Sequence, residues 1–220
     1  MILVRRLAAP TELLTRQNKW TERWKSRTST DLDWATASAK KLLRETLNRK
    51  SRNKCVYCES LLGGAARPEI EHYEAKTVRQ DLVFEWTNLF LACGFCNSTK
   101  LDQSHGGMLL KPDTDNGEEH FWLNRDTGVL EAAPGTDGKR AEATIQLCDL
   151  NRETLCEGRL LLFLRVQRYW REFVRGALPH GLLPEFAEFL RPRTEHKFAI
   201  RSGLPPSLAA EDRRMYHAAD

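Results

Sequence analysis

Residues 55–58 read Cys-Val-Tyr-Cys and residues 93–100 read Cys-Gly-Phe-Cys-Asn-Ser-Thr-Lys, with Ile-Glu-His-Tyr at 70–73 and Trp-Thr-Asn-Leu at 86–89 between them. Two Cys-x-x-Cys knuckles offer four thiolates, and an all-sulfur shell of that number suits the tetrahedral preference of zinc. Gly94 fits the tight turn of the second knuckle. A closed shell leaves no open coordination position, so Zn²⁺ on Cys55, Cys58, Cys93 and Cys96 is expected to be structural. Chemistry must then come from the residues that the metal brings together. The two remaining cysteines, Cys148 and Cys156, sit among apolar residues and read as plain buried thiols.

Around this module the chain has 220 residues, 41% of them hydrophobic and 9% aromatic, enough to bury a core and to exclude a disordered chain. The formal net charge is only +4, so a nucleic-acid role has to show as a local patch rather than as bulk charge. The apolar run 160–164 is closed by Arg159 and Arg165, far short of the roughly 20 residues that span a bilayer. Near the start, Ile2, Leu3 and Val4 precede Arg5 and Arg6, the reverse of the order in a secretory signal. A cytoplasmic location is therefore expected, and in a reducing compartment paired cysteines favour metal over disulfides.

Three segments follow: a helical, basic segment over 1–50, the compact cysteine module over 51–106, and a hairpin plus helical region over 107–220. The first is punctuated by Trp20, Trp24 and Leu32, and 35–47 has good helix formers without Gly or Pro. Residues 40–54 carry seven basic side chains (Lys40, Lys41, Arg44, Arg49, Lys50, Arg52, Lys54) against the single acid Glu45. That cluster is either a solvated helix face or a surface for phosphates. The polar stretch 111–119 reads as a solvated loop, and 120–124, a turn at 126–128 and 129–131 read as a hairpin. Asn151 is placed to cap a helix over 152–175, with Leu155, Leu162, Val166, Tyr169 and Phe173 as its apolar stripe and Arg165, Arg168, Arg171 and Arg175 on a separate arc. A shorter helix over 183–190 and an alanine-rich polar tail complete the chain. His105 and His120 read as turn and hairpin residues, and His180 has no evident partner.

Glu71 and His72 are neighbours on an extended run, and neighbouring strand side chains point to opposite faces, so both reach one site only through a bend. Asn97 falls in the first turn of a short helix expected to run to about residue 103. In this order Glu71-His72, Asn88-Leu89 and Cys96-Asn97-x-x-Lys100 resemble the three signature elements of the HNH endonuclease superfamily. With Lys76, Leu109-Leu110-x-Pro112, His120-Phe121 and Leu150-Asn151-Arg152 the chain further resembles, over roughly residues 50–165, the HNH nuclease subunit of Septu anti-phage systems. That subunit is also found beside certain retrons. Glu71 stands where the superfamily more often has Asp, Asn97 where it more often has His, and Ala75 where this branch usually has Pro.

The resemblance implies an α+β fold: a zinc-stabilised ββα-metal core flanked by N- and C-terminal helical segments. It makes His72 the general base, a task its ordinary pKa suits. It makes Glu71 and Asn97 ligands of one catalytic Mg²⁺ or similar ion and Asn88 the residue that fixes the His72 loop. Lys76 and Lys100 become phosphate contacts, with Lys50, Arg52 and Lys54 as the basic approach for DNA, double-stranded DNA being the expected substrate. An ABC-type ATPase is the implied partner. An RNase and a non-catalytic zinc module that binds nucleic acid or protein remain as alternatives.

Overall fold

The computed structural model describes residues 1, 3–4, 7–26, 37–63, 66–100, 104–134, 138–176, 188, 196–204, 206 and 209. Leu32, His180 and all but residue 188 of the helix expected over 183–190 lie outside the described residues. The alanine-rich polar tail expected beyond them needs correction where it is described, since Lys197–Gly203 form a helix with Ala199 and Ile200 buried.

Helix α1 (Thr11–Lys25) starts directly after Pro10 and buries Leu13 and Trp24. Helix α2 (Ala37–Ser51) has no Gly or Pro, and Leu43 and Leu47, one turn apart, go into the core. Strand β1 (Pro68–His72) pairs antiparallel with β2 (Leu89–Cys93), Pro68 opposite Cys93 and His72 opposite Leu89. All five β2 residues are buried, which explains the unbroken run Leu-Phe-Leu-Ala-Cys: α2 packs on this strand and α3 (Gly94–Lys100) continues from it with no linker. Two 3-10 turns, Gln80–Leu82 and Trp86–Asn88, shape the connection between the strands.

Beyond this unit, the short helix α4 (Gly117–His120) leads into the hairpin β3 (Phe121–Leu123) and β4 (Leu130–Ala132). Asn124 Oδ1 accepts from the amides of Asp126 and Thr127 in its turn. Gly128 has φ +72°, and a Cβ there would lie 2.0 Å from Cys156 O, so glycine is required twice over. Helices α5 (Gly138–Leu147), α6 (Glu153–Val174) and α7 (Lys197–Gly203) follow, with α7 packed along α6. The result is α+β, with helices and two small antiparallel sheets. One hydrophobic core takes residues from all three sequence segments, from Leu13 and Leu47 through Phe90 and Cys96 to Phe163 and Ala199. Among the described residues no helix is long and apolar enough to cross a membrane.

Several expectations need correction. Asn151 does not cap α6, because its amide is spent on both main-chain groups of Leu130 in β4, and Arg152 takes the capping position without a side-chain bond. The buried face of α6 is Leu155, Cys156, Arg159, Phe163, Val166 and Tyr169, whereas Phe173 is exposed near the helix end. Arg165, Arg168, Arg171 and Arg175 are exposed, as their arc requires. Helix α5 was not read from the sequence. In the 111–119 loop Asp115 accepts from the Lys111 amide and pairs with Arg140 at 2.6 Å, so it is a structural acid. His105 opens a turn, its carbonyl accepting from the Met108 amide, with its side chain buried.

Candidate functional site

The Sγ atoms of Cys55, Cys58, Cys93 and Cys96 lie within 4.8 Å of one another, and all four residues are buried. Cys58 Sγ and Cys93 Sγ are 3.8 Å apart. A tetrahedron with Zn–S bonds of about 2.3 Å has an edge of roughly 3.8 Å, so the spacing is that of a shared ion rather than of a disulfide. The Cys96 amide donates to Cys93 Sγ at 3.4 Å and Arg152 Nη1 to Cys96 Sγ at 3.8 Å. Both donors stabilise thiolate charge. Burial holds the Cys55 thiol well above its usual pKa, so ionising the whole cluster requires a cation at its centre. The four cysteines can hold zinc, and by doing so they join the 55–58 loop, the end of β2 and the start of α3, with Arg152 bringing the head of α6 to the same point.

Strand β1, paired with the strand that ends on Cys93, itself ends on His72. Its ring is buried, with Nε2 2.9 Å from Val83 O. A carbonyl only accepts, so Nε2 carries the hydrogen and Nδ1 of the neutral ring is the basic nitrogen. Burial, reinforced by the Lys76 and Lys100 charges, lowers the His72 pKa to about 3, which keeps the ring neutral at physiological pH. Asn88 fixes the segment that follows. Its Oδ1 accepts from the Glu74 amide at 2.7 Å, its Nδ2 donates to Glu74 O and Leu82 O, and its own carbonyl accepts from the Tyr73 amide. Asn88 thus grips both sides of the loop that presents Val83 to His72.

The strand alternation sends the two carboxylates of β1 to the opposite face, under α3. Glu71 is 1% exposed; Lys100 Nζ lies 2.9 Å from its Oε1, and Tyr57 donates to the same oxygen at 3.1 Å. Burial raises the Glu71 pKa to about 7 even against the opposing Lys100 charge. Asn97 is therefore not opposite Glu71. Its Nδ2 lies 2.7 Å from Glu69 Oε2, and both residues are partly exposed. The sequence reading missed Glu69, although the period of two along a strand puts it on the face of Glu71.

Three of the expected phosphate contacts are corrected by burial. Lys100 is spent internally. Lys50 lies over the Phe90 ring at 4.5 Å, and burial lowers the Lys54 pKa to about 8. Arg52 is partly buried in a left-handed turn. The exposed cations of the cluster are Lys41, Arg44 and Arg49 on α2, while Lys76 is partly exposed in the loop after β1.

No family model matches the chain. Two curated proteins do, both Septu protein PtuB. The one from Bacillus mycoides (strain KBAB4) is 28% identical over 152 residues, covering 56% of this chain and 50% of that protein. The one from Bacillus thuringiensis is 30% identical over 123 residues, covering 55% of this chain and 46% of that protein. The chain is thus a distant homologue of Septu PtuB proteins and spans about half the length of the curated relatives it matches.

Proposed function

We propose that this chain is a divalent-metal-dependent endonuclease of the HNH type that cleaves DNA as the nuclease component of a Septu-type anti-phage complex. Homology to PtuB supports the defence assignment, and the resemblance of the motifs supplies the ABC-type ATPase partner. The observation that carries the activity is the geometry of His72: its Nε2 is committed to Val83 O, so Nδ1 is the ring nitrogen that can accept a proton, and an anionic phosphate alongside would offset the burial that depresses its basicity. Water attacks the phosphorus, Nδ1 receives the water proton, and the P–O3′ bond breaks. A divalent ion supplies charge stabilisation at the leaving 3′ oxygen. The partly exposed hard-oxygen donor suited to it is the Glu69 carboxylate of β1, which accepts from Asn97 Nδ2. With the Asn97 amide turned, both oxygens could hold an ion on the face of β1 opposite His72, and the polymer would have to cross the strand end to meet both. DNA would approach over Lys41, Arg44 and Arg49 with Lys76, giving affinity that falls steeply with salt and carries little sequence preference.

The reading is tested by giving the chain, alone and with a Septu-type ABC ATPase, plasmid DNA and a structured RNA, with Mg²⁺ or with EDTA. Cleavage of DNA that EDTA stops is expected; cleavage of RNA alone would reassign the substrate, and Mg²⁺-independent cleavage would sink the mechanism. The ligand assignment has its own test. Glu69→Gln is expected to slow cleavage roughly a hundredfold or more, the scale of a lost metal contact, and Glu71→Gln by clearly less. The opposite ranking, measured as single-turnover rates at saturating DNA, would return the ligand role to Glu71.

A further inference from the structure

Lys100 lies on the last turn of α3, 4% exposed, and its ammonium meets three oxygens: Glu71 Oε1 at 2.9 Å, His72 O at 2.9 Å and Tyr73 O at 3.2 Å. An ammonium has three hydrogens, so these acceptors use the whole group and none is left for a phosphate. The same Tyr73 carbonyl also accepts from His105 Nε2 at 3.1 Å, and the His105 ring packs edge-on to the Tyr73 ring at 4.6 Å. Tyr73 OH is anchored in turn to Leu109 O at 2.6 Å. With Asn88 holding the next residue, the carbonyls of His72, Tyr73 and Glu74 and the amides of Tyr73 and Glu74 are all bonded to groups from outside the segment. A strand end that would otherwise fray is fixed at these five main-chain groups.

Helix α3 takes its position from the second zinc knuckle, since Cys96 lies within it and Cys93 directly precedes it. We propose that Lys100 is a positioning residue for His72: it carries the placement of the zinc-bound helix to the main chain of the base and does not touch the polymer. The proposal rests on the reading of His72 as the base. A buried lysine of this kind costs desolvation energy, and three oxygen acceptors, one of them the Glu71 carboxyl, are what offset it. A hydrophobic isostere would fill the space but take the Lys100 donor from the His72 carbonyl, while Tyr73 O keeps His105 Nε2.

The test uses the full-length chain with Lys100→Met and Lys100→Gln, each checked for bound zinc and for its melting temperature. The single-turnover rate on duplex DNA with Mg²⁺, the Kd for the same duplex at several salt concentrations, and the ¹⁵N-imidazole signals of His72 are then recorded. Lys100→Met is expected to lower the rate about a hundredfold, the effect of misplacing a catalytic group by about 1 Å. The Kd and its salt slope should stay as in wild type. Lys100→Gln, which restores N–H donors without the charge, should recover part of the rate, and it carries the test if the Met variant does not fold. An unchanged rate overturns the proposal, as does a weaker Kd with a salt slope shallower by about one charge, which would mark a phosphate contact. Should the wild-type chain cut nothing, a His72 Nε2–H signal that is slow to exchange in wild type and fast in Lys100→Gln still supports the clamp while the nuclease reading fails. The same signal unchanged in an active enzyme defeats the clamp alone.

Discussion

His72→Ala is expected to reduce phosphodiester cleavage by 10²–10⁴-fold while leaving DNA affinity within a factor of about two, the usual worth of a positioned general base. The geometry makes this more than a motif argument. Val83 O fixes the hydrogen on Nε2, Asn88 fixes the loop carrying Val83 through Leu82 O, and burial keeps the ring neutral, so the one basic nitrogen is Nδ1. Alanine removes that nitrogen and also leaves the Val83 carbonyl without its donor, at a cost of about 1–3 kcal/mol. A modest fall in melting temperature should therefore accompany the lost activity. The two effects separate with His72→Asn, whose amide can still donate to a carbonyl but is no base: stability should partly return and cleavage should not. Rates of the Ala and Asn variants within about threefold of wild type would leave the chain a non-catalytic zinc module. The measurement is single-turnover cleavage of a labelled duplex beside filter binding of the same duplex.

The second large effect concerns the fold itself. Cys93→Ser, or removal of zinc by a chelator strong enough to strip an all-thiolate site, is expected to unfold the region around β1, β2 and α3. Metal binding at such sites is worth about 10–16 kcal/mol in small peptides, comparable with the whole stability of an ordinary domain at about 5–15 kcal/mol. Cys93 joins the strand ribbon to the cluster. It ends β2, accepts from the Cys96 amide and lies 3.8 Å from Cys58. Circular dichroism and elemental analysis together decide: one zinc per folded wild-type chain, and little cooperative melting in the variant. Pure wild-type protein that is folded and free of zinc would refute the scaffold role. Weak chelation should give a different result, stopping cleavage by removing the oxygen-bound ion while the melting curve stays in place.

The elements that follow from local chemistry were legible in the sequence. The knuckles, the extended run at Glu71-His72, the helices α2 and α6 and the hairpin of β3 and β4 all appear near their expected places, because spacing, propensity and turn residues are local signals. What could not be read were the long-range uses of polar side chains. Lys100 looks like any lysine after a metal motif until β1 is laid beneath α3, and Glu69 gains its place opposite Asn97 only through the register of β1 against β2. Asn151 has the composition of a helix cap, yet bonds to β4, 21 residues back in the chain. The basic run 40–54 was read as one face, but α2 turns Lys50 inward against Phe90 while Lys41, Arg44 and Arg49 face solvent. Charge counts carry no azimuth, and a helix distributes a run of charges around its axis.

The absence of any linker between β2 and α3 makes the ion a gauge of strand register. If β2 slid by one residue along β1, Cys93 would travel about 3.3 Å and its sulfur would swing to the other side of the sheet, far outside any tetrahedron the other thiolates define. A ribbon of only two strands has little of its own to forbid that slip. A cation held by the four thiolates during folding would therefore discriminate among misaligned ribbons and trap the alignment that brings Glu69 and Glu71 under the helix.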